Sequence, residues 1–175
     1  GSPTADINLR KAIAYCLDRE AIGYALYGKN GPAMNSIFAT NWLDGDYGQT
    51  ADDYFTQDYD LAREYLAKSN YQGETLRCMV VTPMANAGPL IQAYLSEIGI
   101  NCELLNYDRA TFNSYANDAA YGNYDIVVQN IGSAATDSYL ALGFLSGEGY
   151  EGGLNRMFIE DEHLDELYNS IKAAS

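Results

Sequence analysis

The side chains that could do chemistry are few, and each has a structural reading beside the chemical one. Asp108 and Asp137 each stand between an apolar run and a helical pattern. A carboxylate there can act in acid–base work, or it can cap the helix that follows. His163 is the single histidine, beside Glu160, Asp161 and Glu162. A solvated, acidic helix start explains it better than a catalytic base does. No serine lies in a GxSxG context. Gly147-Glu148-Gly149-Tyr150-Glu151-Gly152 matches GxGxxG, but it follows a predicted helix and runs into Gly153. The dinucleotide motif needs a strand before it and a helix after it, so this is a loop with a chance match. Asp44, Asp46, Asp52 and Asp53 crowd one loop, and calcium favours several oxygens. Phe55 stands where an EF-hand's closing Glu belongs, so a solvated acidic loop is the better reading.

Cys16, Cys78 and Cys102 show no CxxC spacing, which argues against zinc or a redox pair. Cys16 lies on an apolar helix face and reads as a core residue. Cys78 and Cys102 fall in two predicted strands. They pair if the strands are neighbours, or remain two buried free thiols. No cofactor is indicated.

The elements that must position these residues alternate. Leu9–Gly31 first looks like one amphipathic helix interrupted by Asp18-Arg19-Glu20. Asp18 resolves it as an N-cap, giving one helix over about Asn8–Leu17 and a second over about Arg19–Tyr27, stopped by Gly28. The stretch 30–57 has no clean period and reads as a long loop holding Trp42. Asp60 is predicted to cap the next helix, which ends at Asn70. Strands follow at 75–82, 100–107 and 124–130. Between them run two helical stripes, one on Leu90, Ile91, Tyr94, Leu95 and Ile98 and one on Phe112, Tyr115, Ala116 and Ala119. A last helix carries Leu164, Leu167, Tyr168 and Ile171 on one face. Apolar strands alternating with helices give an α/β fold of βαβ units, with a central parallel sheet flanked by helices. In such sheets ligands lie outside the carboxyl ends of the strands. Those exits are Thr82-Pro83-Met84-Ala85-Asn86, Tyr107-Asp108 and Gln129-Asn130-Ile131-Gly132-Ser133, the last leading through Ala134 to Asp137.

Composition bounds the partners. A net charge of −14 repels phosphate backbones and anionic membrane surfaces, which disfavours nucleic-acid binding. Sixteen tyrosines suit a core rim or a ligand surface. No apolar run is long enough to span a bilayer. The opening Gly1-Ser2-Pro3 resembles a cloning remnant, so the 175 residues read as a single domain excised from a longer protein.

Five segments, in order, resemble family 5 extracellular solute-binding proteins, the dipeptide, oligopeptide and nickel binders that serve ABC importers. "NLRKAIAYCLDREAI" carries Arg10, Ala12, Ile13, Asp18, Arg19 and Ile22 at that family's positions. "YDLAREYLAKSNYQG" carries Asp60, Ala62 and Leu66. "LIQAYLSEIGINCELLNYDRATF" carries Leu95, Ile98, Gly99, Ile100 and Phe112. "GNYDIVVQNIGSAATDSYLALGFLSG" carries Asp125 and Asp137, and "HLDELYNSIKAA" is similar to the helix that follows.

The resemblance implies the C-terminal lobe of a two-lobed, type II periplasmic-binding-protein-like fold, one wall of a cleft whose other lobe is missing here. It implies a peptide or small-molecule ligand, ABC permease subunits as partners, no catalysis, and a lipoprotein or periplasmic location. The ligand-facing residues are then Thr82, Met84, Asn86, Asn130, Ile131, Ser133, Ala134 and Asp137, with Trp42 from the long loop. The chain departs from the family pattern where peptide binders place an Asp for the ligand's amino group, because Ala134 stands there. Ile131 stands at the family's Trp, and "TPMANAG" carries no Arg for a short peptide's carboxylate. Loss of the amine anchor removes a charge-assisted hydrogen bond worth roughly 1.5–3 kcal/mol. A longer or modified peptide, or an oligosaccharide, fits that departure. Two rival readings are a small α/β enzyme using Asp108 or Asp137, which predicts turnover from this chain alone, and a tyrosine-rich module that binds a macromolecule.

Overall fold

The computed structural model describes residues 2–31, 56–118, 122–130, 143–147 and 155–174. Helix α1 (Ile7–Cys16) starts where Asp6 Oδ1 accepts from the amides of Asn8 at 2.7 Å and Leu9 at 3.4 Å. It therefore begins one residue earlier than predicted. Its buried face is Leu9, Ala12, Tyr15 and Cys16. Asp18 then takes the Ala21 amide at 2.9 Å and opens α2 (Arg19–Tyr27), as its N-cap pattern predicts. Gly28 ends α2 at φ 60°, a conformation that costs glycine nothing. Helix α3 (Tyr59–Lys68) packs along α1, with the Tyr15 and Tyr65 rings stacked at 5.6 Å. Its cap is Asp58, whose carboxylate takes the Leu61 amide at 2.9 Å; Asp60, the predicted cap, lies in the first turn and pairs with Arg63. Both positions carry an acid that local propensity accepts. The chain's entry settles the choice, because Asp58 N–H donates to Tyr15 O at 2.8 Å.

Strands β1 (Leu76–Val81), β2 (Cys102–Tyr107) and β3 (Ile126–Val128) form a parallel sheet in the order β2-β1-β3. Central β1 is buried except at Arg77, as expected for a strand covered on both faces. Helix α4 (Ala87–Glu97) links β1 to β2 and buries Ile91 and Leu95. Gly88 lets α4 lie close to the sheet: a Cβ there would stand 3.3 Å from Leu104 Cδ1. Helix α5 (Arg109–Ala116) links β2 to β3 and buries Phe112 and Ala116; Ala119 lies outside the described residues. One core joins both halves, from Leu9, Ala12 and Cys16 on α1 through Met79, Val80 and Val81 on β1 to Leu95 and Phe112.

All three strands are shorter than the apolar runs that announce them. Ile100 is buried, but its amide closes α4 on Leu95 O at 2.9 Å instead of joining a ladder. Helix α6 (Glu162–Ala174) is capped by Asp161, which accepts from His163 and Leu164 amides at 3.0 and 3.1 Å. Tyr168 is its buried residue; Leu167, predicted on the inward face, is 40% exposed. Among the described residues no helix is long and apolar enough to cross a membrane.

The three cysteines are free thiols. Cys16 is buried, and burial pushes its thiol up to about 12. Cys78 and Cys102 do sit on neighbouring strands, but the register pairs Cys78 with Leu104 and Cys102 with Leu76. They are offset by two residues, and the interaction between the two thiols raises Cys78 and lowers Cys102. Cys102 is only partly buried, a correction to the expectation of two buried thiols.

Candidate functional site

The carboxyl ends of the three strands meet at one edge. Val81 is opposite Tyr107, and Val80 is opposite Val128, so the residues leaving β1, β2 and β3 emerge side by side. Thr82 ties two of the tips: its hydroxyl donates to Tyr107 O at 2.9 Å. It opens a short 3-10 turn, Thr82–Met84, that leads into α4. Met84 is 6% exposed, and its sulfur accepts from the Tyr27 hydroxyl at 3.5 Å, so it lies beneath the edge. Asn86 is exposed, in a helical conformation, and makes no cap hydrogen bond. Trp42, Ile131, Ser133, Ala134 and Asp137 lie outside the described residues, as do the acidic loop and most of the GxGxxG stretch.

Asp108 is committed to helix α5. Its Oδ1 accepts from the Ala110 and Thr111 amides at 2.9 and 3.0 Å, and its Oδ2 from the Thr111 hydroxyl at 2.9 Å. The bonds from Thr111 hold its carboxyl below the usual range. A general acid needs the opposite shift.

Two arginines that the sequence reading passed over occupy the same edge. Arg109, the first residue of α5, donates to Asn130 Oδ1. Arg156 donates to Gln129 Oε1, to Asn113 Oδ1 at 3.0 Å and to Asn117 Oδ1 at 3.0 Å. Its guanidinium also lies 5.4 Å from the centre of the Phe112 ring. Burial, and then the positive charge of Arg109, lower the proton affinity of Arg156. Arg109 was legible as the residue beside a predicted cap at a strand exit. Arg156 lies 27 residues beyond Gln129, past the third exit, with no local motif to mark it.

Asp125, which the family resemblance singled out, sits at the opposite, amino end of β3. Its Oδ2 accepts from the Arg77 amide at 2.9 Å and from Arg77 Nε at 3.1 Å, with 1% of its side chain exposed. Ser2 Oγ adds a hydrogen bond of 2.6 Å. This carboxylate clamps the amino ends of β1 and β3 together. Among the described residues no group of three His, Cys, Asp or Glu side chains could hold a metal ion.

An α/β domain with a parallel sheet, helices on it and a polar carboxyl edge is an architecture shared by many binding proteins. The family of bacterial extracellular solute-binding proteins, family 5 middle, matches residues 1–152, and the chain belongs to that family. No curated protein matches by sequence. Among solved structures, AppA from Clostridium difficile aligns over 95% of this chain at 22% identity and a TM-score of 0.80. The dipeptide binding protein from Pseudoalteromonas sp. SM9913, solved with Met-Leu, aligns over 93% at 20% identity and a TM-score of 0.76. AgaA from A. tumefacien R10, solved with agropinic acid, aligns over 96% at 26% identity and a TM-score of 0.72. The chain spans about a third of the length of each: 34%, 32% and 34%.

Proposed function

We propose that this chain is one ligand-binding lobe, a single domain, of the substrate-binding component of an ABC uptake transporter, and that its ligand is a peptide. The observation that carries the reading is the gathering of three strand exits at one polar edge, with Thr82, Asn86, Gln129 and Asn130 along it. The rest of the parent protein would supply the facing wall, and the two would close on ligand about a hinge. Partners would be the transporter's permease subunits, and the location extracellular, on a lipid anchor or in a periplasm. The loop residues Trp42, Ile131, Ser133, Ala134 and Asp137 would complete the wall. Acid–base catalysis is disfavoured by Asp108, whose oxygens are taken up by α5.

The test is a thermal-shift screen of the full-length protein against peptides, oligosaccharides and metal ions. A ligand that binds only the folded state raises Tm with its concentration. A Tm rise with peptides is the expected result. A rise with oligosaccharides alone replaces the ligand class, and turnover of any of these compounds by the chain alone ends the binding-protein reading.

A further inference from the structure

Two of the three thiols share one face of the sheet. Leu76 is opposite Cys102 in the parallel ladder, and Cys78 follows Leu76 by two residues, so Cys78 and Cys102 project to the same side as diagonal neighbours. Helix α4 covers that side: a Cβ on its Gly88 would stand 3.3 Å from Leu104 Cδ1 and 3.6 Å from Val80 Cγ2, and both residues are in phase with the cysteines. Cys78 is fully buried, and Cys102 is only partly so. The two thiols interact directly, which makes Cys102 the more acidic of the pair. Cys16 stands apart on α1, where its thiol donates to Ile13 O at 3.2 Å.

Diagonal neighbours on adjacent strands lie roughly 7–8 Å apart at Cα, against about 4.4–6.8 Å for an ordinary disulfide. A bridge here has to draw the strands together, and strain of that kind makes a disulfide easy to reduce. The backbone has room to give at Cys102. It is the first residue of β2, a strand that pairs with β1 alone among the described residues, and its carbonyl accepts from Gln92 Nε2 of α4 at 2.7 Å. We propose that Cys78 and Cys102 are a redox-sensitive pair that closes to a strained, reversible disulfide when the protein meets a low-molecular-weight disulfide. The Cys102 thiolate attacks one sulfur of the external RS–SR, and RS⁻ leaves and takes up a proton. Cys78 then attacks the Cys102 sulfur of the mixed disulfide, and its proton goes to the second departing thiolate. Two protein thiols are oxidised, and one external disulfide is reduced to two RSH. Burial of Cys78 fits the second role, because the resolving thiol has to reach Cys102 and nothing outside. The bridge joins β1, α4 and β2 into one covalent loop. The proposal is independent of the ligand; an extracellular location, as proposed above, is where such a bridge persists.

The experiment uses the full-length protein, reduced, freed of reductant and incubated with oxidised glutathione in its folded state. Remaining thiols are then capped with a maleimide in denaturant, and tryptic peptides are weighed. No Lys or Arg lies between Arg77 and Arg109, so one peptide, Cys78 to Arg109, carries both cysteines. This peptide should emerge uncapped and lighter than the dithiol by two hydrogens, while the Cys16 peptide is capped. Reduced glutathione, added without denaturant, should restore capping at both positions. In Cys78→Ser, Cys102 should be trapped as its glutathione adduct; in Cys102→Ser, Cys78 should stay free of adduct and be capped. Equal thermal melting shows that the variants fold, and if either does not, the wild-type masses decide alone. A doubly capped peptide after oxidation overturns the proposal, as does a glutathione adduct at Cys102 in the wild type that never closes. A bridge that forms only in denaturant, or that resists reduced glutathione in the folded protein, overturns it as well.

Discussion

Asp125 is a carboxylate whose side chain is withdrawn almost wholly from solvent. Burial by itself would raise its carboxyl, but the Arg77 guanidinium and amide and the Ser2 hydroxyl hold it below the usual range. A carboxyl depressed on folding contributes stability above its unfolded value of about 3.9 and loses it as pH falls through the folded value. Asp125→Asn should therefore cost roughly 3 kcal/mol in urea unfolding at neutral pH, because Arg77 is left half-buried without its counter-charge. The wild type should lose stability below about pH 4, and the same variant should flatten that loss. A variant with unchanged unfolding midpoints would show that the clamp is dispensable. The thiols give a second check. At neutral pH a maleimide should modify Cys102 in the native protein and all three cysteines after denaturation, because Cys16 and Cys78 are buried. The interaction with Cys78 favours the Cys102 thiolate, so its labelling should rise first as pH is increased. Labelling of Cys16 or Cys78 in the folded state, read by peptide mass, would contradict the packing.

At the scale of elements, α5 shows how a cap and a core residue divide the work. Asp108 fixes where the helix starts, and Phe112, fully buried one turn on, fixes which face meets the sheet. Phe112→Ala should cost about 3–5 kcal/mol, since it opens a cavity and removes the ring beneath Arg156. Asp108→Ala should lower Tm by roughly 3 °C through the lost cap alone. Melting curves of the pair check the ranking, and an Asp108 effect larger than the Phe112 effect would refute it. The caps at Asp18, Asp108 and Gly28 were legible because each depends on its own few residues. The cap of α3 was misread by two positions, since Asp58 and Asp60 are locally equivalent and a contact from distant Tyr15 separates them. Strand lengths were overread for the same reason. Apolar character marks a buried stretch, but a ladder partner decides where the strand ends.

For the whole molecule, one edge of one sheet is only half of a ligand cleft in the proposed function. Pockets of this kind bury most of the ligand's surface, so this chain alone should bind trialanine at least about tenfold more weakly than the full-length protein. Calorimetry on the two side by side measures this, and equal affinities would mean that the lobe needs no facing wall.

Helix periodicity, strand hydrophobicity and the order of elements are local properties of the chain, so the amino-acid sequence alone determined the α/β class, the βαβ alternation and the family likeness. The same local reading located the strand exits as the candidate edge. Tertiary structure decided the rest. It set the order β2-β1-β3, it turned Asp125 into a clamp at the far end of the sheet from the candidate edge, and it offset Cys78 from Cys102. It also brought Arg156 back to Gln129 at the third strand's exit. Each of these depends on which distant residues become neighbours, and that is settled by burial of a shared core rather than by any spacing along the chain.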